Sequence, residues 1–172
     1  MNAPLVIRPA IASDLRELHA LIESAYRGES ARAGWTHEAD MLEAPRTSTA
    51  ALKSLLDDPS ELLLLAHDGT AIVGSAQVTQ LSEDIAYLGL LTVDPRLQAG
   101  GLGKQILAAA EREARTRFGV SNVELAVISR RTELIAYYAR RGYLPTGEER
   151  SFPVSIDPPL SLAVLRKKLT AA

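Results

Sequence analysis

Three closely spaced glycines, Gly100, Gly101 and Gly103, stand before Lys104, between an apolar segment and a segment with helical spacing. Glycine lets a ligand approach the backbone, and the first N–H groups of a helix have no partner inside it. Such a turn can hold an anion. The helix dipole adds favourable charge at the same point, and each amide bond to a charged acceptor contributes roughly 1.5 to 3 kcal/mol. Two familiar phosphate loops do not fit. A Walker loop needs glycine at 98 and Ser or Thr at 105, where this chain has Gln98 and Gln105. A dinucleotide fingerprint starting at Gly101 needs a third glycine where Ile106 stands. Tyr137 and Tyr138, shortly before Gly142-Tyr143, supply a second kind of chemistry. A phenol of pKa about 10 stays protonated at neutral pH and can donate its proton to a leaving group.

The turn resembles the acyl-CoA signature of the GNAT superfamily of N-acyltransferases: Gln or Arg, two residues, Gly, one residue, then Gly or Ala. Gln98, Gly101 and Gly103 fit that pattern. In the family, consecutive backbone amides of this turn cradle the coenzyme A pyrophosphate, which carries over to Gln98, Ala99, Gly100, Gly101, Leu102, Gly103 and Lys104. The segment from Thr132 to Tyr143 resembles the family's second motif, in which a tyrosine four residues before a Gly-aromatic pair faces the thioester sulfur. That residue is Tyr138. Tyr138 also shares a helix face with Leu134, as a core aromatic would. The order of the two motifs, separated by a strand at 122–128, favours the catalytic reading. Tyr137 lies about 100° around the helix, which suits packing or cofactor contact.

The elements that must position these residues follow from local patterns. Leu5 to Arg8 reads as a strand. A helix capped by Ser13 runs to about Tyr26, with Leu15, Leu18, Leu21, Ile22 and Ala25 on one stripe. Residues 28–46 are polar and irregular, with a short helix expected after Thr36, and 48–56 is helical. Segments 62–66 and 71–81 form a hairpin about Asp68-Gly69, followed by a strand ending at Val93 before Asp94-Pro95. The cofactor helix spans about 101–118. The second motif is one short helix, capped by Thr132 and ended by Gly142. Segments 143–153 and 160–166 close the sheet as a hairpin. This order matches the family, which implies an α/β (α+β) fold, one GNAT-like domain over residues 1–172. Its sheet is mixed, mostly antiparallel and flanked by helices. Its central strand pair splays, so that the pantetheine arm can pair with Leu91, Thr92 and Val93 like an added strand.

Composition excludes several other classes. A chain of 172 residues suits one compact domain. A net charge of −2 without long basic runs gives no nucleic-acid footprint; Arg140-Arg141 reads as a helix end and 166–168 as an exposed strand end. With no cysteine there is no disulfide, thiol nucleophile or cysteine zinc site. His19, His37 and His67 form no ligand cluster, so no metal is expected. No run approaches a membrane span, and the amino terminus has no leader pattern, so a cytoplasmic protein is expected, with a homodimer compatible.

The resemblance implies acetyl-CoA as co-substrate and direct transfer, in a ternary complex, to a primary amine of a small molecule. Two departures bear on mechanism. Many members carry a glutamate base on the strand before the turn, but Tyr87-Leu88-Gly89-Leu90-Leu91 has no acid. Many place Asn at the start of the second helix, where Arg130-Arg131-Thr132 stands; Arg131 could bind cofactor phosphate or be exposed. Deprotonating an alkyl ammonium at pH 7 costs roughly 4.6 kcal/mol and an α-amine only about 1.4, so weakly basic amines suit a site without a strong base. Tyr26, Arg27, Trp35, Thr36 and Arg46 are the candidates for acceptor recognition. The alternative to an enzyme is an acyl-CoA sensor or a non-catalytic interaction protein on the same fold.

Overall fold

The computed structural model describes residues 3–26, 47–97, 100–152 and 159–170. Strand β1 (Val6–Pro9) leads through a 3₁₀ turn (Ala12–Asp14) into α1 (Leu15–Tyr26). Helix α2 (Thr49–Leu56) precedes the meander β2 (Glu61–His67), β3 (Ile72–Gln80) and β4 (Ile85–Val93). Then follow α3 (Leu102–Phe118), β5 (Asn122–Ile128), α4 (Thr132–Ala139), β6 (Leu144–Ser151) and β7 (Ser161–Lys168). The strands form a seven-stranded sheet in the order β1-β2-β3-β4-β5-β7-β6. Among the described residues only the β4–β5 pair is parallel. No helix among the described residues is long and apolar enough to cross a membrane.

The sheet separates two apolar cores because strand side chains alternate between faces. Leu62, Leu64, Val78, Ala86, Leu88, Val123, Leu125 and Leu165 meet Ile106, Leu107, Ala110 and Ala114 of α3 on one face. Leu63, Leu65, Ile72 and Leu90 meet Leu15, Leu18, Leu21, Ile22 and Leu52 of α1 and α2 on the other. Ser48 caps α2 by accepting the Ala51 N–H at 3.0 Å. Gly142 follows α4 at φ +96°, as expected, and Gly119 ends α3 in the same left-handed way at φ +70°.

Three local readings are corrected. Ser13 caps nothing: it lies inside the 3₁₀ turn, where the Asp14 carboxylate accepts the Ile11 N–H at 2.8 Å and pairs with Arg8 at 2.8 Å. Ile11 holds the extended N-cap conformation at φ −119° and ψ 168°, so Ser13 already lies within the turn. Thr132 is the first residue of α4 rather than its cap; Arg131 takes the cap position, and its carbonyl accepts the N–H of Leu134 and Ile135. The segment 166–168 is more than an exposed strand end, since Arg166 pairs with Glu124 and Lys167 with Glu111.

Candidate active site

Strand β4 departs from regular pairing at two places. Its parallel pairing with β5 comprises Ile85↔Asn122, Ala86↔Val123 and Tyr87↔Glu124, after which the strands diverge. The register with β3 shifts between Ser75↔Thr92 and Gln77↔Gly89, so Leu90 and Leu91 together oppose Ala76 in a bulge. Leu90 has φ +45°, a left-handed conformation that costs a non-glycine residue on the order of 1 kcal/mol or more. Two hydroxyls hold it there: Ser75 and Thr92 each donate to the Leu90 carbonyl at 3.0 Å. Both residues are buried. The Asp94 N–H bonds to the Val73 carbonyl, so by strand alternation the Thr92 N–H also faces β3, whereas that of Val93 faces the side from which β5 has diverged.

The glycine turn follows directly. Asp94 accepts from the Arg96 N–H and guanidinium at 3.0 and 2.8 Å, and that partner holds its carboxyl below the usual range. Gly101 takes φ +83° as the N-cap of α3, and a Cβ built on it meets no atom within 4 Å. The first i→i−4 bond runs from the Gln105 N–H to the Gly101 carbonyl at 3.2 Å, so the N–H groups of Leu102, Gly103 and Lys104 precede the helical ladder. Gly103 is different from Gly101. A Cβ there would lie 3.2 Å from the Tyr137 hydroxyl and 3.4 Å from Val93 Cγ2. The absent side chain makes room for Tyr137 as well as for a ligand, and it joins the two motifs in space.

Helix α4 presents the aromatic residues. The Arg141 guanidinium lies 3.6 Å over the Tyr137 ring. Tyr138 is buried, edge-on to Tyr137 at 5.2 Å and to Tyr143 at 5.9 Å between ring centroids. The Tyr143 phenol is pushed up by burial and by the Glu111 carboxylate, which leaves it a packing group at physiological pH. Arg131 is buried, and its Nε–H donates to Glu133 at 2.6 Å.

On the α1/α2 face, one polar row crosses the sheet just below the bulge: Glu61↔Thr79↔Tyr87↔Glu124↔Arg166 are successive partners on β2, β3, β4, β5 and β7. Glu124 is only 2 % exposed, and its carboxylate accepts from Arg150 at 2.9 Å and Arg166 at 3.0 Å. Burial alone pushes Glu124 up, but the two guanidiniums together outweigh it and hold the carboxyl below its ordinary value. A carboxylate so paired is a poor proton acceptor. A cleft of about 350 Å³ opens beside this row, lined by Thr47, Ala51, Leu55, Gln77, Tyr87, Gly89 and Leu90. Sequence reasoning missed Glu61, Gln77, Thr79 and Glu124. A signal was available, since Ser75, Gln77 and Thr79 alternate with apolar residues in a segment read simply as a strand.

Gln98, Ala99, Arg27, Trp35, Thr36, Arg46, His37 and the Tyr26 side chain lie outside the described residues, as does the short helix expected after Thr36. Among the described residues no group of three or more His, Asp or Glu could hold a metal ion.

A diverging parallel pair stands beside a glycine-capped helix, and a family model described as "Acetyltransferase (GNAT) family" matches residues 15–143. The chain belongs to the GNAT family. GNAT-fold neighbours cover nearly all of it. The ribosomal-protein-S18-alanine N-acetyltransferase of Escherichia coli superposes with a TM-score of 0.74 at 19 % identity, covering 98 % of this chain and 96 % of that one. The Salmonella typhimurium protein yncA, solved with its cofactor acetyl-CoA, gives 0.73 at 17 %, covering 99 % and 96 %. Identities this low speak for the GNAT fold alone. Mycothiol acetyltransferase of Salinispora arenicola (strain CNS-205) is 33 % identical over 113 residues, 61 % of this chain but only 37 % of that protein.

Proposed function

We propose that the protein is an acetyl-CoA-dependent N-acetyltransferase that transfers the acetyl group directly, within a ternary complex, to a primary amine of a small molecule. The observation that carries this reading is the divergence of β4 from β5 after Tyr87↔Glu124, next to a glycine-capped helix start with open space at Gly101. A phosphate chain fits the helix start, and an extended arm fits along β4. Family membership and a relative named as an acetyltransferase support the same activity.

Bound acetyl-CoA supplies an acetyl thioester. The residues from Gln98 to Lys104 bind its pyrophosphate through backbone N–H groups, with Lys104 adding charge. Leu91 to Val93 offer the strand edge for the pantetheine arm, and the bulge aims a backbone N–H at the carbonyl oxygen. Tyr137 seats the arm from the α4 side, Arg131 stands near the same helix start, and Tyr138 donates a proton to the departing sulfur. Tyr26, Arg27, Trp35, Thr36 and Arg46 recognise the acceptor, with an arginine pairing a carboxylate that orients the amine. A carboxylated α-amine is therefore the preferred acceptor class. The reaction takes place in the cytoplasm.

An amine panel tests this reading: free amino acids, their amides, polyamines and lysine peptides are incubated with acetyl-CoA, released thiol is followed, and products are weighed by mass spectrometry. Acetylated α-amino acids are expected. Cofactor binding without acetyl transfer to any amine would favour the sensor reading.

A further inference from the structure

The cleft on the α1/α2 face has a side-chain oxygen whose direction is fixed by its neighbours. Gln77 Nε2 donates to Glu61 Oε2 at 2.9 Å and approaches Thr79 Oγ1 at 3.3 Å, while Thr79 Oγ1 donates to the same Glu61 oxygen at 2.7 Å. The orientation follows from counting protons. A carboxylate only accepts, and the threonine hydroxyl has spent its single proton on it. Both neighbours therefore require an N–H from the amide, and the flipped orientation would set the Gln77 carbonyl oxygen against two acceptors. The amide is locked with Nε2 toward β2 and Oε1 toward Gly89. Oε1 lies 3.7 Å from where a Cβ of Gly89 would stand, and Gln77 and Gly89 both line the cleft immediately before the bulge.

We infer that Gln77 is an acceptor-binding residue whose carbonyl oxygen takes an N–H of the incoming amine, and that Glu61, with Thr79, is the positioning residue that fixes its direction. This rests on the acetyltransferase reading above. The chemistry selects primary amines. As the N–C bond to the acetyl carbonyl forms and the C–S bond breaks, one amine proton goes to the departing sulfur, by way of Tyr138 and solvent. The other remains on nitrogen through to the product amide. That retained N–H is what Gln77 Oε1 accepts, and it orients the nitrogen lone pair toward the bulge. A secondary amine loses its only proton in the reaction and has none left to donate. Gly89 leaves the passage open, because a Cβ there would press within 3.2 Å of the Tyr87 ring.

The test compares the best primary amine of the panel with its N-methyl derivative, using wild type, Gln77→Leu and Glu61→Gln, with Gln77→Met as a second variant should the leucine fail to fold. Gln77→Leu is expected to lower kcat/KM for the primary amine roughly ten- to hundredfold, as loss of a hydrogen bond to a developing charge does. It should change the N-methyl amine little, so the preference between the two collapses. Glu61→Gln, which lets either end of the Gln77 amide face the cleft, should reduce the same preference by less. The dissociation constant of acetyl-CoA should not move. A variant that slows both amines equally, or leaves the primary amine unaffected, overturns the role of Gln77 while leaving the acetyltransferase reading intact. Failure of wild type to acetylate any amine overturns both.

Discussion

Replacing Gly101 by asparagine and by aspartate isolates the electrostatic part of cofactor binding. Gly101 sits at φ +83°, and a Cβ there meets nothing within 4 Å, so the backbone strain and the Cβ contacts are the same in both variants. Asn and Asp are the side chains that tolerate this conformation best, and each should cost about 1 kcal/mol of stability. They differ by one charge. A carboxylate about 5 Å from a phosphate oxygen interacts by about 0.8 kcal/mol per charge pair at a dielectric of 80 and about 3.3 at 20. Gly101 is exposed, so the lower figure governs. With two phosphate charges, the aspartate variant should bind acetyl-CoA about 1.7 kcal/mol more weakly than the asparagine variant, roughly fifteen- to twentyfold. The gap should shrink in 1 M salt, where the screening length falls to about 3 Å. Titration calorimetry on variants with native circular dichroism measures both. Equal affinities for the two variants at low salt would show that no pyrophosphate lies at this turn.

Tyr138→Phe should lower kcat about 10²- to 10⁴-fold with little change in acetyl-CoA affinity, because only a proton donor is removed; full activity would reduce Tyr138 to a packing residue. Gly74→Ala should destabilise the fold, since its Cβ would lie 2.2 Å from Ile106 Cδ1 and 2.9 Å from the Thr92 carbonyl oxygen. Overpacking of this kind costs about 1 to 3 kcal/mol, or about 3 to 10 °C in melting temperature, and an unchanged melt would contradict the docking of α3 on β3. Glu124 titrates below its ordinary value of 4.5, so its pairing with Arg150 and Arg166 stabilises the fold fully above that pH and is lost as pH falls through the lower folded value. Urea midpoints should therefore show Glu124→Gln less stable than wild type at pH 7, with the gap closing as pH falls below 4.5; a gap independent of pH would refute the ion pair.

Local chemistry is what the sequence declares by itself. The strand 122–128, the bounds of the cofactor helix, the glycine that follows α4 and the two motifs in order were all legible, because each depends on residues within a few positions of one another. The two misread caps fail at a finer scale: the chain already turns at Ala12, which leaves Ser13 inside the turn, and a carbonyl at 131 opens α4 where a threonine hydroxyl was expected to. Register is decided only in three dimensions. A shift of one residue in strand pairing moves every side chain to the opposite face, so no local pattern could align Glu61, Thr79, Tyr87, Glu124 and Arg166 across five strands. The bulge at Leu90 is likewise a tertiary result, since a leucine at φ +45° carries no sequence mark and persists because the Ser75 and Thr92 hydroxyls hold its carbonyl. The direction of the Gln77 amide depends on the proton inventory of two side chains, one of them on a neighbouring strand, and long-range packing brings that inventory together.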